Sequence, residues 1–332
     1  MTTAMTLSAA LPAARGPLSE AVIEALGRDE RGDFPELPET ADADPFGDDL
    51  QLALHVCYEL HYQGFTGVAP EWEWDPDLLR LRAAMERVFL AALRANTPCG
   101  DDVEEALAPL LVEPVNGTGL SHFLAADGTW DQVREYFALR SIYHHKEADP
   151  HAWVIPRLRG KPKAALVAVE FDEYGGGRAD QVHAQLYADL LDGAGLNSQY
   201  LHYLEHAPAC MLAVVNMMSL FGLHRRLRAA LAGHFAAAEI TTAPSAQRME
   251  KALRRLDADQ RCRYFYTEHI EADAVHEQVM RRDVLGGLLA TEPELAGDIV
   301  FGIQATDLVE QRFAHHVLGA WQQGRSALRK PL

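Results

Sequence analysis

An all-α fold is what the sequence predicts, and three observations carry that expectation. Beyond residue 50 apolar residues recur at spacings of three and four, no series of alternating strand segments appears, and glycine and proline clusters interrupt the periodic segments. At 332 residues, with 48% hydrophobic and 23% charged residues, the chain can bury a large core and has an ordinary globular composition.

Residues 1–47 are rich in Ala, Pro, Gly, Asp and Glu without sustained periodicity and read as a mobile tail, with one short helix near 19–26. Residues 48–130 read as an N-terminal helical extension that packs on the main domain or mediates a homodimer. Leu52, Val56 and Leu60 mark its first helix, and Leu78, Leu81, Met85, Val88, Phe89 and Ala92 its second. A loop containing Gly, Pro and Trp joins them over 64–76, and Asn96 to Gly100 stops the second. The main domain is expected over 131–325. Its first helix, 131–147, ends at Asp149-Pro150, because the residue before a proline is pushed out of helical geometry. A helix over 162–174 meets Gly175-Gly176-Gly177, and helicity resumes over 179–191. Long helices follow at 207–221, 225–239, 246–256, 263–289 and 294–323. No repeat at fixed period is present, which excludes a solenoid.

The formal net charge of -18, from 30 basic and 48 acidic residues, argues against a nucleic-acid partner. Four scattered cysteines with no Cys-x-x-Cys pair exclude a disulfide scaffold and suit a reducing cytoplasm. The N-terminus lacks the basic region of a signal peptide. The uncharged run 206–224 contains Pro208, Asn216 and Ser219 and is bounded by histidines, so a buried core helix is expected rather than a membrane span.

The sharpest local signal is His269-x-x-x-Asp273-x-x-His276. At about 100° per residue the three side chains fall within about 60° of one another, on one helical face. Imidazole with carboxylate suits iron, manganese or zinc, and without nearby thiolates a structural zinc site is disfavoured. The alternative is a polar stripe on a solvated helix. Glu147 closes a helix amid Tyr136, Phe137, Leu139, Ile142 and Tyr143, and Glu173 leads through the glycines to His183. Taken singly, helix-terminal acids are usually solvated, and a lone helix histidine is usually a satisfied core residue. Glu170, Asp172, Glu268 and Glu271 flank these positions and read either as partners of ligands or as solvated acids. Asn216 has a pocket role or a simple internal hydrogen bond as its alternatives, and the run His224 to Arg228 a solvated face or a contact to a substrate carboxylate. Glu59 and His61 look ligand-like but belong to no complete set.

Taken together, these segments resemble the haem-oxygenase-like di-iron oxidases and oxygenases. That family's ligands come as a Glu, then a Glu with a His ten residues on, then a His-x-x-x-Asp-x-x-His helix. Glu147, Glu173, His183, His269, Asp273 and His276 follow that order, and the resemblance spans about residues 131–290, including Lys-Glu-Ala-Asp-Pro-His-Ala-Trp at 146–153. It implies a haem-oxygenase-like helical bundle with those six residues as metal ligands and catalytic centre. It also implies two Fe(II) ions (manganese being an allowed substitute), O2 as co-substrate, no haem, and an external electron donor where the chemistry needs one. Three imidazoles with three carboxylates leave coordination positions vacant, as a catalytic site requires. The implied substrates are small, amino acids or amines of specialised-metabolite pathways, antibiotic biosynthesis among them. The expected reaction is C–H oxidation or desaturation of a free aliphatic amino acid, with ring closure or C–C cleavage as further outcomes. N-oxygenation is the alternative. A non-redox metal-binding or cofactor-pathway protein is the second, disfavoured because vitamin-hydrolysing relatives use a nucleophilic cysteine and none of the four here lies in a ligand segment.

Overall fold

The computed structural model describes residues 9–28, 38–112 and 117–332, and within the helix at 260–279 the backbone but not the side chains of residues 271–274. Among the described residues the fold is all-α, with a single isolated bridge between Ala9 and Phe65.

The short helix expected near 19–26 is α1 (Pro17–Leu26). It starts at a proline, whose missing N–H costs nothing in a first turn, and buries Leu18, Val22, Ala25 and Leu26. The stretch read as a tail therefore contains a packed helix. Its start is held by Asp49, whose carboxylate accepts from the Leu18 and Ser19 amides at 2.9 and 2.7 Å. α2 (Asp48–Glu59) is buried along nearly its whole length and packs between α1 and α10 (Ala209–Leu223, below). After a 3-10 turn at Pro70–Trp74 comes α3 (Pro76–Ala95), capped by the Asp75 carboxylate and burying Leu78, Leu81, Met85, Phe89 and Leu93. The short α4 (Val103–Leu107) and α5 (Leu120–Ala126) complete the N-terminal part.

The main bundle begins with α6 (Trp130–His144), opened by a capping box between Thr129 and Gln132. It ends three residues earlier than the sequence suggested. Glu147 thus lies in a turn rather than on the helix, and Pro150 starts α7 (Asp149–Ala152) instead of merely ending its predecessor. α8 (Gly160–Glu173) runs into the three glycines, all at positive φ. A Cβ on Gly175 would lie 2.6 Å from Gln181 C, so glycine here allows the chain to fold back on itself. That return delivers His183 at the first position of α9 (His183–Gly193).

The uncharged run forms α10, the buried core helix expected, and no described helix is long and apolar enough to cross a membrane. Asn216 on α10 donates to the Gln51 carbonyl and side chain at 2.7 and 2.8 Å, which assigns it the internal hydrogen bond and ties α10 to α2. The two helices expected at 225–239 and 246–256 are one, α11 (Arg228–Arg255), continuous through Pro244. Burial of Ile240, Ala246 and Met249 on both sides of the proline outweighs one lost backbone hydrogen bond. α12 (Gln260–Val279) continues through a π-helical turn, Met280–Leu285, into α13 (Gly286–Thr291), and α14 (Ala296–Gln322) closes the fold. α11 is central, with α12 and α14 packed against it. At the α11–α14 crossing a Cβ on Gly233 would lie 2.2 Å from Ile299 O, and one on Gly302 2.0 Å from Ala230 O, so both glycines are required by backbone contact.

Candidate metal centre

Two buried clusters of potential ligands meet inside the bundle. In the first, ligand atoms of Glu147, His183 and His269 lie within 4.8 Å of one another; in the second, those of Glu173, Glu239 and His276 do. Five of the six residues picked out in the sequence are therefore brought together. The sixth, Asp273, lies among the side chains outside the description, as does Glu271.

Glu173 joins the two clusters. Its Oε2 lies 2.8 Å from His183 Nδ1, and its Oε1 lies 3.8 Å from His276 Nδ1. The His183 and His269 rings are 4.4 Å apart, and His269 Nε2 is 3.9 Å from Glu147 Oε1. Each histidine of the metal helix has its ring set by a partner on the other nitrogen. His269 Nδ1–H donates to the Phe265 carbonyl one turn back at 2.7 Å, which turns Nε2 toward Glu147. His276 Nε2–H donates to Asp172 at 3.1 Å, turning Nδ1 toward Glu239 Oε2 at 3.2 Å. Asp172, one of the flanking acids, is thus a ring-orienting partner despite its exposed side chain.

Burial alone would raise the Glu147 carboxyl, but His144, at 2.7 Å from Oε2, and His269 hold it well below the usual carboxylate range. Glu170 goes the other way. Buried in the same acidic cluster, with neither oxygen partnered among the described residues, its carboxyl is pushed up to about 9 by burial first and then by Glu173 and Glu239. Glu147, Glu170, Glu173 and Glu239 are all buried, and the partners seen for the three in the clusters are histidines. Carboxylates gathered this way are costly unless cations offset them. The donor set, imidazole and carboxylate without thiolate, fits iron.

Sequence reasoning missed Glu239. It sits in an alanine-rich stretch of α11 with no ligand-like spacing around it, and its one local signal is an acid in a run otherwise wholly apolar. Of the run His224 to Arg228, Arg228 pairs with Glu292, and the arginines at the cavity are Arg140 and Arg248 instead. Glu59 and His61 stay out of the site. Glu59 pairs with Lys146 and Tyr200, and His61 with Glu73.

Both clusters open on a cavity of about 350 Å³ between α6, α11, α12 and α14. Glu147, Glu173, Glu239 and His269 line it, and Met218, Phe235, Phe265 and Ile303 give it apolar surface.

Comparison with known proteins places this geometry. The chain is similar to the nitrosourea synthase of Streptomyces achromogenes subsp. streptozoticus, 24% identical over 189 residues that make up 55% of this chain and 40% of that protein. The chain thus matches well under half of the relative's length. A family model described as iron-containing redox enzyme matches residues 134–311, just over half of the chain and including both ligand clusters. Matching family model, haem-oxygenase-like helical bundle and buried imidazole–carboxylate clusters agree, and the chain belongs to the iron-containing redox enzyme family.

Proposed function

We propose that the chain is an O2-dependent, non-haem di-iron oxidase that N-oxygenates a small amine or amino acid in specialised metabolism. The observation that carries the di-iron part is the pair of buried clusters sharing Glu173. N-oxygenation draws on the named relative, since a nitrosourea carries an oxidised nitrogen. Iron bound here would supply electrons and open coordination positions for reducing O2. Glu147, His183 and His269 would hold one ion, Glu239 and His276 the other, with Glu173 between them and Asp273 as a further candidate.

The protein's own groups prepare that chemistry. His144 holds Glu147 below the usual carboxylate range, Phe265 and Asp172 orient two imidazole rings, and Glu170 lies buried beside Glu173 and Glu239. The apolar walls keep bulk water from the substrate. In the balanced reaction one oxygen atom of O2 bonds to nitrogen and the other leaves as water, with two electrons and two protons from an external reductant. C–H desaturation of an aliphatic amino acid, the sequence-based expectation, is the second reading, supported by the apolar surface of Met218, Phe235 and Ile303.

Anaerobic titration should show two ferrous ions per chain, with O2 consumed on adding substrate and reductant. Isotopically labelled O2 separates the two reactions: label in the product marks N-oxygenation, whereas a product two hydrogens lighter without label marks desaturation. A wild-type protein binding one iron, or a His269→Ala variant consuming O2 at the wild-type rate, overturns the reading.

A further inference from the structure

Among the residues lining the cavity are two histidines that belong to neither ligand cluster. His234, on α11, and His151, on α7, are each about 1% exposed and both line the cavity. Their rings stack at 5.2 Å, and the His151 ring also lies nearly parallel to Phe235 at 4.0 Å.

The tautomer of His234 follows from its neighbour. The Thr306 hydroxyl has one proton, which it donates to the Gly302 carbonyl at 2.8 Å. Thr306 Oγ1 therefore accepts from His234, whose Nδ1 lies 2.8 Å away and must carry the hydrogen. Nε2 is left as a bare lone pair, buried and unpartnered among the described residues. Burial lowers His234 to about 4, so at neutral pH the ring stays neutral and Nε2 only accepts. His151 is likewise kept neutral, by burial and then by His234, and neither ring nitrogen has a partner among the described residues. It offers one N–H and one lone pair.

A buried acceptor without a donor is destabilising, and a phenylalanine would fill the same stacked space without that cost. Arg140, which lines the same cavity, is already bidentate to Glu310 at 2.8 and 2.6 Å and so is not open to a substrate carboxylate. We propose that His234 and His151 form the recognition subsite for a nitrogen-bearing end of the substrate, an amine or guanidine group that donates an N–H to His234 Nε2. This deepens the functional reading above and rests on its assignment of the cavity to the substrate. The subsite asks for a basic amino acid or related diamine rather than a purely aliphatic one.

The test is binding without turnover, so that it can succeed where N-oxygenation fails. Protein loaded with Zn(II), which is redox-inert and diamagnetic, is titrated calorimetrically with L-lysine, L-arginine and L-norleucine, the last being lysine without its side-chain amine. Lysine or arginine should bind at least about tenfold more tightly than norleucine. His234→Phe should remove that preference and leave norleucine unchanged, while His234→Gln, which still presents an acceptor, should keep most of it. On the unsubstituted protein the ¹⁵N resonance of His234 Nε2 should move upfield on adding the tighter ligand, a readout independent of whether variants fold. Failure of both basic amino acids to bind, equal binding of norleucine, a preference that survives in a folded His234→Phe variant, or an unmoved Nε2 resonance at saturation overturns the proposal.

Discussion

Replacing Glu170 by glutamine should make the metal-free protein more stable in neutral and alkaline solution, against the usual expectation for a buried polar substitution. Glu170 is buried with no partner among the described residues, and its carboxyl rises from 4.5 to about 9 through burial, then Glu173, then Glu239. Between those two values the folded chain holds one proton that the unfolded chain releases. Folded stability is therefore fully present below about 4.5 and declines with rising pH, by about 1.4 kcal/mol per unit, until the folded group itself ionises near 9. By pH 7 the loss is about 3 kcal/mol, and from pH 5.5 to 8.5 it reaches about 4 kcal/mol. Glutamine mimics the protonated acid in shape and cannot ionise, so its variant lacks this slope. Urea midpoints of chelator-treated wild-type and Glu170→Gln protein, measured at the same three pH values, should diverge as pH rises. Adding Fe(II) should narrow the gap, since a cation favours the ionised wild-type group. Parallel pH profiles for the two metal-free proteins would refute the assignment of a buried neutral acid.

Two further predictions concern the scaffold. Lys146→Met should cost about 3–5 kcal/mol in urea denaturation, because it strands the buried Glu59 carboxylate, and Lys146→Met with Glu59→Leu should recover most of the loss; equal losses for single and double variants would contradict this. Gly302→Ala should destabilise by about 1–3 kcal/mol or more, because its Cβ would meet Ala230 O at 2.0 Å, while Gly319→Ala, with nothing within 4 Å, should be neutral or stabilising. Equal urea midpoints for the two alanine variants would remove the argument for close backbone contact between α11 and α14.

Local pattern was enough to read the helical class, because amphipathic spacing is a property of consecutive residues and survives without knowledge of what the apolar face meets. It also yielded His269 and His276, about two turns apart on a single helix, and, with the family resemblance, Glu147, Glu173 and His183. Helix boundaries read from single residues were weaker. Pro244 does not divide α11, because burial on both its flanks outweighs a lost hydrogen bond, and Pro150 begins a helix because its missing N–H is harmless in a first turn. What only the tertiary structure decided is which distant groups meet. Glu239 becomes a neighbour of His276 because α11 packs against α12. Asp172 orients the same imidazole from α8, and His234 is fixed as an acceptor by a threonine on α14. None of these pairings has a sequence period, since each depends on where one helix crosses another. The ionisation of Glu170 has the same origin: its neighbours in sequence permit a solvated acid, and only burial beside Glu173 and Glu239 makes it a neutral one.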